Sequence, residues 1–220
     1  MIVRQIGVVF ALMSMLGTTA SAQSPIEAPR AALSVVTEAD RVLGRADAPV
    51  TVIEYASFVC PHCAAWHQIV LPAFTTRFID TGQARLVFRD LPTSPQTLSL
   101  PAAALARCAA PVNSFLVAKT LMEGQAALHA EGDPNTWMQA AAGKAGRPTS
   151  DLLACMNDRA TQDALSTGVE AAIVGGIRGT PMFLVNGKLI EDSALDTLST
   201  AIDTALVSTT TSRTPAVGDE

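Results

Sequence analysis

The stretch "EYASFVCPHCAAWHQ", residues 54–68, sets Cys60 and Cys63 three positions apart between an apolar run and a segment of helical pattern. That spacing suits a metal clamp, a structural staple or a reactive redox pair, and the flanking elements must discriminate. Upstream, "PVTVIEYASF" (residues 49–58) is rich in Val, Ile, Tyr and Phe and reads as a buried strand. Downstream of Pro61, the residues Trp66, Ile69, Val70, Ala73, Phe74 and Phe78 recur near a period of 3.6 and predict a helix. Pro72 falls inside it and should kink it or remove one hydrogen bond. Gly82 ends the helix, and "ARLVFRDL" (residues 84–91) reads as a second strand. Phe58, Trp66, Tyr55 and Met182 read as core or groove lining, and His67 and His129 as solvated residues.

Metal is the first competing use of the cysteine pair. Structural zinc takes four ligands, and even with His62 or His67 as a third there is no second close Cys/His pair, so no metal site is expected. Haem attachment needs a histidine directly after the second cysteine, where Ala64 stands.

From Thr93 to about Thr167 no strand pattern appears. This stretch is rich in Ala and Leu and is broken at Pro111, at Gly132-Asp133-Pro134 and at Gly146-Arg147-Pro148, which predicts several short helices. A longer helix is expected over 161–173. "TPMFLVNGKLI" (residues 180–190) then reads as two strands around Asn186-Gly187, a strong type I′ hairpin signal. A last helix is expected over 193–206. Residues 24–39 read as an irregular arm and 208–220 as a polar, disordered tail.

The N-terminus sets the compartment. Residues 1–22 carry Arg4, an apolar run from Ile6 to Leu16 and the Ala20-Ser21-Ala22 cleavage pattern, the three parts of a secretory signal peptide. The run is too short to anchor in a bilayer. Four cysteines remain after its removal, in a compartment where disulfides persist. The formal charge of −5 with no basic run argues against nucleic acid as a partner. With 49% apolar residues, one sizeable core can form without disulfide staples. A C-x-x-C at a strand–helix junction, followed by a strand, a helical block, a hairpin and a helix, predicts an α/β, thioredoxin-like fold over residues 23–207, with a helical insertion over about 94–165.

These motifs resemble the DsbA family of periplasmic thiol–disulfide oxidoreductases over most of the mature chain. "EYASFVCPHC" is similar to the family's strand and active-site motif, and "RGTPMFLVNGK" (residues 178–188) to the segment with its cis-proline, here Pro181. The resemblance implies that Thr180 and Pro181 bind an extended client peptide, and that Glu54 is the family's buried acid, placed to accept or relay a proton from Cys63. Cys108 and Cys155 resemble the extra disulfide of the alphaproteobacterial branch. Thr180 departs from the Val of the best-studied enteric oxidases, and Thr-Pro also occurs in isomerases.

Cys60 is expected at the start of the helix, where unpaired N–H groups and the helix dipole favour a thiolate. Pro61 costs no hydrogen bond there, His62 adds a donor or positive charge, and Cys63, one turn inside, suits the resolving role. A Cys60 titrating about 3 units below ambient pH would gain about 4 kcal/mol, or about 90 mV of oxidising power. The expected function is a monomeric, periplasmic oxidase that gives its disulfide to folding exported proteins. It needs no cofactor, and a membrane reoxidase of DsbB type restores it. The competing functions are a disulfide isomerase or reductase, and a non-catalytic peptide-binding chaperone.

Overall fold

Strand β2 (Val50–Ala56) is apolar on both faces because helices cover it on both sides. It pairs in parallel with β3 (Ala84–Asp90), with Glu54 opposite Phe88, and antiparallel with β4 (Met182–Val185), with Glu54 opposite Phe183. Short antiparallel edges, β1 (Arg41–Leu43) on β3 and β5 (Lys188–Ile190) on β4, complete a five-stranded sheet of order β1-β3-β2-β4-β5. The computed structural model describes residues 27–130 and 132–213, so the signal peptide expected at 1–22 lies outside the described residues.

The crossover from β2 to β3 is one helical run of four segments: α2 (Pro61–Ala65), a π turn (Trp66–Val70), α3 (Leu71–Phe74) and a second π turn (Thr75–Ile79). Pro72 offers no N–H, and the turn before it widens so that the Leu71 N–H donates to Trp66 O, five residues back. The expected kink takes this form. Trp66, Phe74 and Phe78 from the run meet Val52, Phe183, Leu198 and Ile202 in one core. The β4–β5 turn is the expected type I′, with Asn186 at φ 44° and Gly187 at φ 85°.

The helical block consists of α4 (Gln96–Cys108), a 3₁₀ turn (Pro111–Asn113), α5 (Ser114–His129), α6 (Pro134–Ala142) and α7 (Thr149–Asn157). Its breaks fall where Pro and Gly predict them. Asp133 caps α6 by accepting from the Asn135 and Thr136 N–H groups. Gly124 lets α6 approach closely, since a Cβ there would sit 2.6 Å from Trp137 Cδ1. A second core of Leu105, Val117, Leu121, Met122 and Leu152 joins this block to Phe58 and Val59.

Three boundaries differ from expectation. Helix α8 (Arg159–Val174) is unbroken, so no boundary falls at 165; the chain turns instead at Asp158, which is extended. Helix α9 (Leu195–Arg213) continues into the stretch read as a disordered tail. Its hydroxyls fold back onto the carbonyl four residues earlier, Thr204 on Thr200 and Ser208 on Thr204, so they find partners within the helix. Residues 214–220 of that tail lie outside the described residues.

The third concerns the arm over 24–39, which is ordered where described: it forms α1 (Glu27–Ala32) and then runs along the sheet edge. Arg89 holds it, donating to the carbonyls of Leu33 and Val35 and in a fork to Asp40 at 2.8 and 2.9 Å. Burial pushes the Asp40 carboxyl up, but the Arg89 fork and the Thr37 N–H and hydroxyl together hold it below the ordinary carboxylate range. Truncating one side of this largely buried pair strands the other charge. Arg89→Ala should cost about 2 kcal/mol, with early proteolytic cleavage within 33–40. Unchanged melting and cleavage would show that the arm is held by other contacts.

Candidate active site

Cys60 stands between the end of β2 and the first turn of α2. Its backbone is extended (φ −86°, ψ 116°), which makes it the N-cap, with Pro61 as the first helical residue. Its N–H donates to Ser57 O at 3.1 Å and its carbonyl accepts from Ala64 N at 3.1 Å, fixing the sulfur at the helix mouth. Both cysteines are free thiols here.

The two sulfurs lie in opposite electrostatic surroundings. A hydrogen bond from the Cys63 thiol is the largest influence on Cys60; with a bond from the Thr180 side chain and the backbone N–H groups of Cys63 and His62 it outweighs burial and brings the Cys60 thiol down to about 5. Cys63 is pushed far above the thiol range, first by complete burial, then by the hydrogen bond to Cys60 and the nearby negative charge of Glu54. One sulfur is a thiolate at neutral pH and the other holds its proton firmly. His62 acts here through its backbone N–H, and its ring is exposed, as is Pro61.

The loop before β4 closes the other side. Thr180–Pro181 is cis, and the Cys60 sulfur lies 3.4 Å from Thr180 O. Both loop residues are half-buried.

Under Cys63 lies a pair that the sequence reading separated. Glu54, fully buried, is flanked in the sheet by Phe88 and Phe183. Its two carboxylate oxygens lie 3.0 and 3.1 Å from His67 Nε2. His67 is therefore no solvated residue: its side chain is 3% exposed and sits edge-on to Trp66 and Phe88. The four-residue spacing puts His67 on the helix face of Cys63, but that spacing does not show that this face packs over Glu54. His129 is exposed as expected.

Cys108 and Cys155 are joined, with Cα atoms 5.8 Å apart, linking the end of α4 to α7. Among the described residues no group of three His, Cys, Asp or Glu side chains could hold a metal ion, and no helix is long and apolar enough to cross a membrane.

Known proteins give this geometry its relatives. A thioredoxin family profile matches residues 36–204. Proteins of Rickettsia felis and Rickettsia typhi, provisionally named protein-disulfide oxidoreductases, are each 34% identical over 78% and 79% of this chain. The chain spans only 62% and 64% of their lengths. The crystal structure of Wolbachia pipientis alpha-DsbA1 superposes with a TM-score of 0.72 at 25% identity, covering 83% of this chain and 98% of that one. Bacillus subtilis BdbD shares the fold, with a TM-score of 0.69 over 77% of this chain and 94% of its own at 23% identity. Profile, relatives and superposition agree: the chain belongs to the DsbA family of thioredoxin-like proteins.

Proposed function

We propose that this chain is a periplasmic dithiol–disulfide oxidoreductase that donates the Cys60–Cys63 disulfide to folding exported proteins. The observation that carries this reading is the contrast between the two sulfurs, one held as a thiolate and the other as a thiol. A client thiolate attacks Cys60 Sγ, the Cys60–Cys63 bond breaks with its electron pair on Cys63, and Cys63 takes up a proton. A second client thiolate then attacks the client sulfur of the mixed disulfide, and Cys60 leaves as a thiolate. The client is oxidised and the protein reduced. Because the Cys60 thiolate is a stable leaving group, the second step runs forward easily.

Thr180 and Pro181 offer backbone beside Cys60 for an extended client, and Glu54 is the candidate proton partner of Cys63. The bond between Cys108 and Cys155 is assigned a structural role. The oxidant comes from a membrane reoxidase of DsbB type, with no bound cofactor, and the protein works as a monomer.

The deciding experiment follows oxidation of a dithiol peptide by the oxidised protein, alongside its equilibrium with glutathione. Cys60→Ser should abolish transfer, a loss of at least 1,000-fold. A potential close to that of thioredoxin would instead mark a reductase or isomerase. Full activity in Cys60→Ser would leave peptide binding alone as the function.

A further inference from the structure

Helix α8 ends in a closed turn, and residues 178–181 after it form the loop beside Cys60. The Gly176 N–H donates to Ile173 O at 3.1 Å and the Ile177 N–H to Ala172 O at 2.9 Å. Gly176 is left-handed, at φ 88°. These are the two bonds of a Schellman cap, which fixes the direction in which the chain leaves the helix. Beyond it, the Arg178 N–H donates to Met182 Sδ at 3.2 Å across the turn that holds Thr180 and Pro181. Anchored at both ends, the loop stands where the end of α8 puts it.

We propose that Leu33 of the N-terminal arm is a positioning residue for this loop. Wedged against the end of α8, it sets the height at which Thr180 and Pro181 meet the extended client of the disulfide-donor reading above, on which this role rests.

Gly175 shows the wedge. It caps α8 with a φ of −73°, which L-residues adopt freely, so the backbone there does not call for glycine. Leu33 does: a Cβ on Gly175 would stand 2.3 Å from Leu33 Cδ1 and 3.0 Å from its Cγ. Leu33 is 6% exposed and shares one core with Tyr55, Ile177 and Met182, so its side chain has no room to swing aside.

The arm is held on both sides of this contact. Arg30 Nε donates to Gly175 O at 3.2 Å, a cation at a helix C-terminus where the dipole favours one. Leu33 O accepts from Arg89 of β3. Packed groups therefore run without a break from the sheet through Leu33 to the α8 cap and Met182. From there the loop leads to Thr180 O, 3.4 Å from the Cys60 sulfur. A shift of Leu33 moves the cap, and the loop moves with it.

The test follows single-turnover oxidation of a dithiol peptide by the oxidised protein over a range of peptide concentrations. Reduction by dithiothreitol, which has no peptide backbone to meet the loop, is the reference. Gly175→Ala adds a methyl against Leu33, and Leu33→Ala withdraws the wedge. Each should raise the half-saturating peptide concentration at least threefold, while the limiting rate and the dithiothreitol rate stay within twofold of wild type. In the double variant the new methyl stands in the vacated space. It should be no worse than either single variant, where independent changes would multiply to about ninefold. Leu33→Val replaces Leu33→Ala if the latter does not fold. Amide exchange provides a second readout: the Ile177 and Arg178 N–H groups should exchange at least threefold faster in each single variant. Half-saturation within threefold of wild type in both, effects that multiply, or equal slowing with dithiothreitol would overturn the proposal. If the wild type oxidises no peptide, the broader function fails, and amide exchange alone decides whether Leu33 sets the loop.

Discussion

Iodoacetamide should trap Cys60 of the reduced protein with a midpoint near pH 5, leaving Cys63 untouched up to the alkaline limit of folding. The expectation follows from the opposite surroundings of the two sulfurs. It carries a stability consequence with a definite sign. The Cys60 thiol is lowered from 9.0 in the absence of structure to about 5 in the fold. The reduced fold therefore gains stability that is complete above pH 9, shrinks as pH falls from 9 to 5, and is gone below 5. At pH 7, two units above the midpoint, the gain is about 3 kcal/mol, or about 60 mV of oxidising power. That is less than the 90 mV expected on the sequence, because burial works against the donors at Cys60. The small loop closed in the oxidised form offsets only about 1 kcal/mol. Reduced protein should consequently melt roughly 4–8 °C above oxidised protein at pH 7, with the gap closing toward pH 5. An alkylation midpoint near 8.5, or an oxidised form that is the more stable at pH 7, would remove the basis for an oxidase.

The sequence exposes the elements whose signals are local. Strands β2 and β3 announce themselves through runs of β-branched and aromatic residues, the hairpin through Asn186-Gly187, and the helix breaks through Pro and Gly. Strand β1 is different: Arg41-Val42-Leu43 becomes a strand only because β3 offers it an open edge. The arm before it is ordered by Arg89, about fifty positions away in the chain. In α9, the Thr- and Ser-rich composition signals disorder, whereas the burial of Leu198 and Ile202 favours helix.

At the site, the cysteines and Pro181 can be found from spacing, but the partner of Glu54 cannot. A histidine on an amphipathic helix usually faces water, and the Glu54–His67 contact exists only once the helical run packs across β2. The π turn at Trp66–Val70, with both Trp66 and His67 on its buried side, has no signature in the sequence beyond Pro72. Likewise the donors that lower the Cys60 thiol are first the Cys63 thiol, then Thr180 and the backbone N–H groups of Cys63 and His62, so the exposed ring of His62 attracts more attention in the sequence than its peptide N–H.

Removing the bond between Cys108 and Cys155 should produce the largest loss of stability from any change outside the redox pair. The two lie 47 positions apart in sequence. Freeing a loop of that size returns conformational entropy to the unfolded chain worth about 4 kcal/mol. For a domain of this length each kcal/mol moves the melting point by about 2–4 °C, so Cys108→Ala/Cys155→Ala should melt roughly 8–16 °C lower. The bond joins α4 to α7 and does not touch the Cys60 surroundings directly. Cys108 does share one apolar core with Cys60 and Cys63, through Leu105 and Leu152, so a small effect through packing is expected. The alkylation midpoint of Cys60 should shift by less than half a unit, since none of the groups that lower it comes from α4 or α7. Mass spectrometry of the non-reduced digest should find the linked peptides in wild-type protein. A melting shift under 2 °C in the double variant, with the linked peptides present in the wild type, would mean that packing of α4 against α7 and α8 holds the block together without the bond.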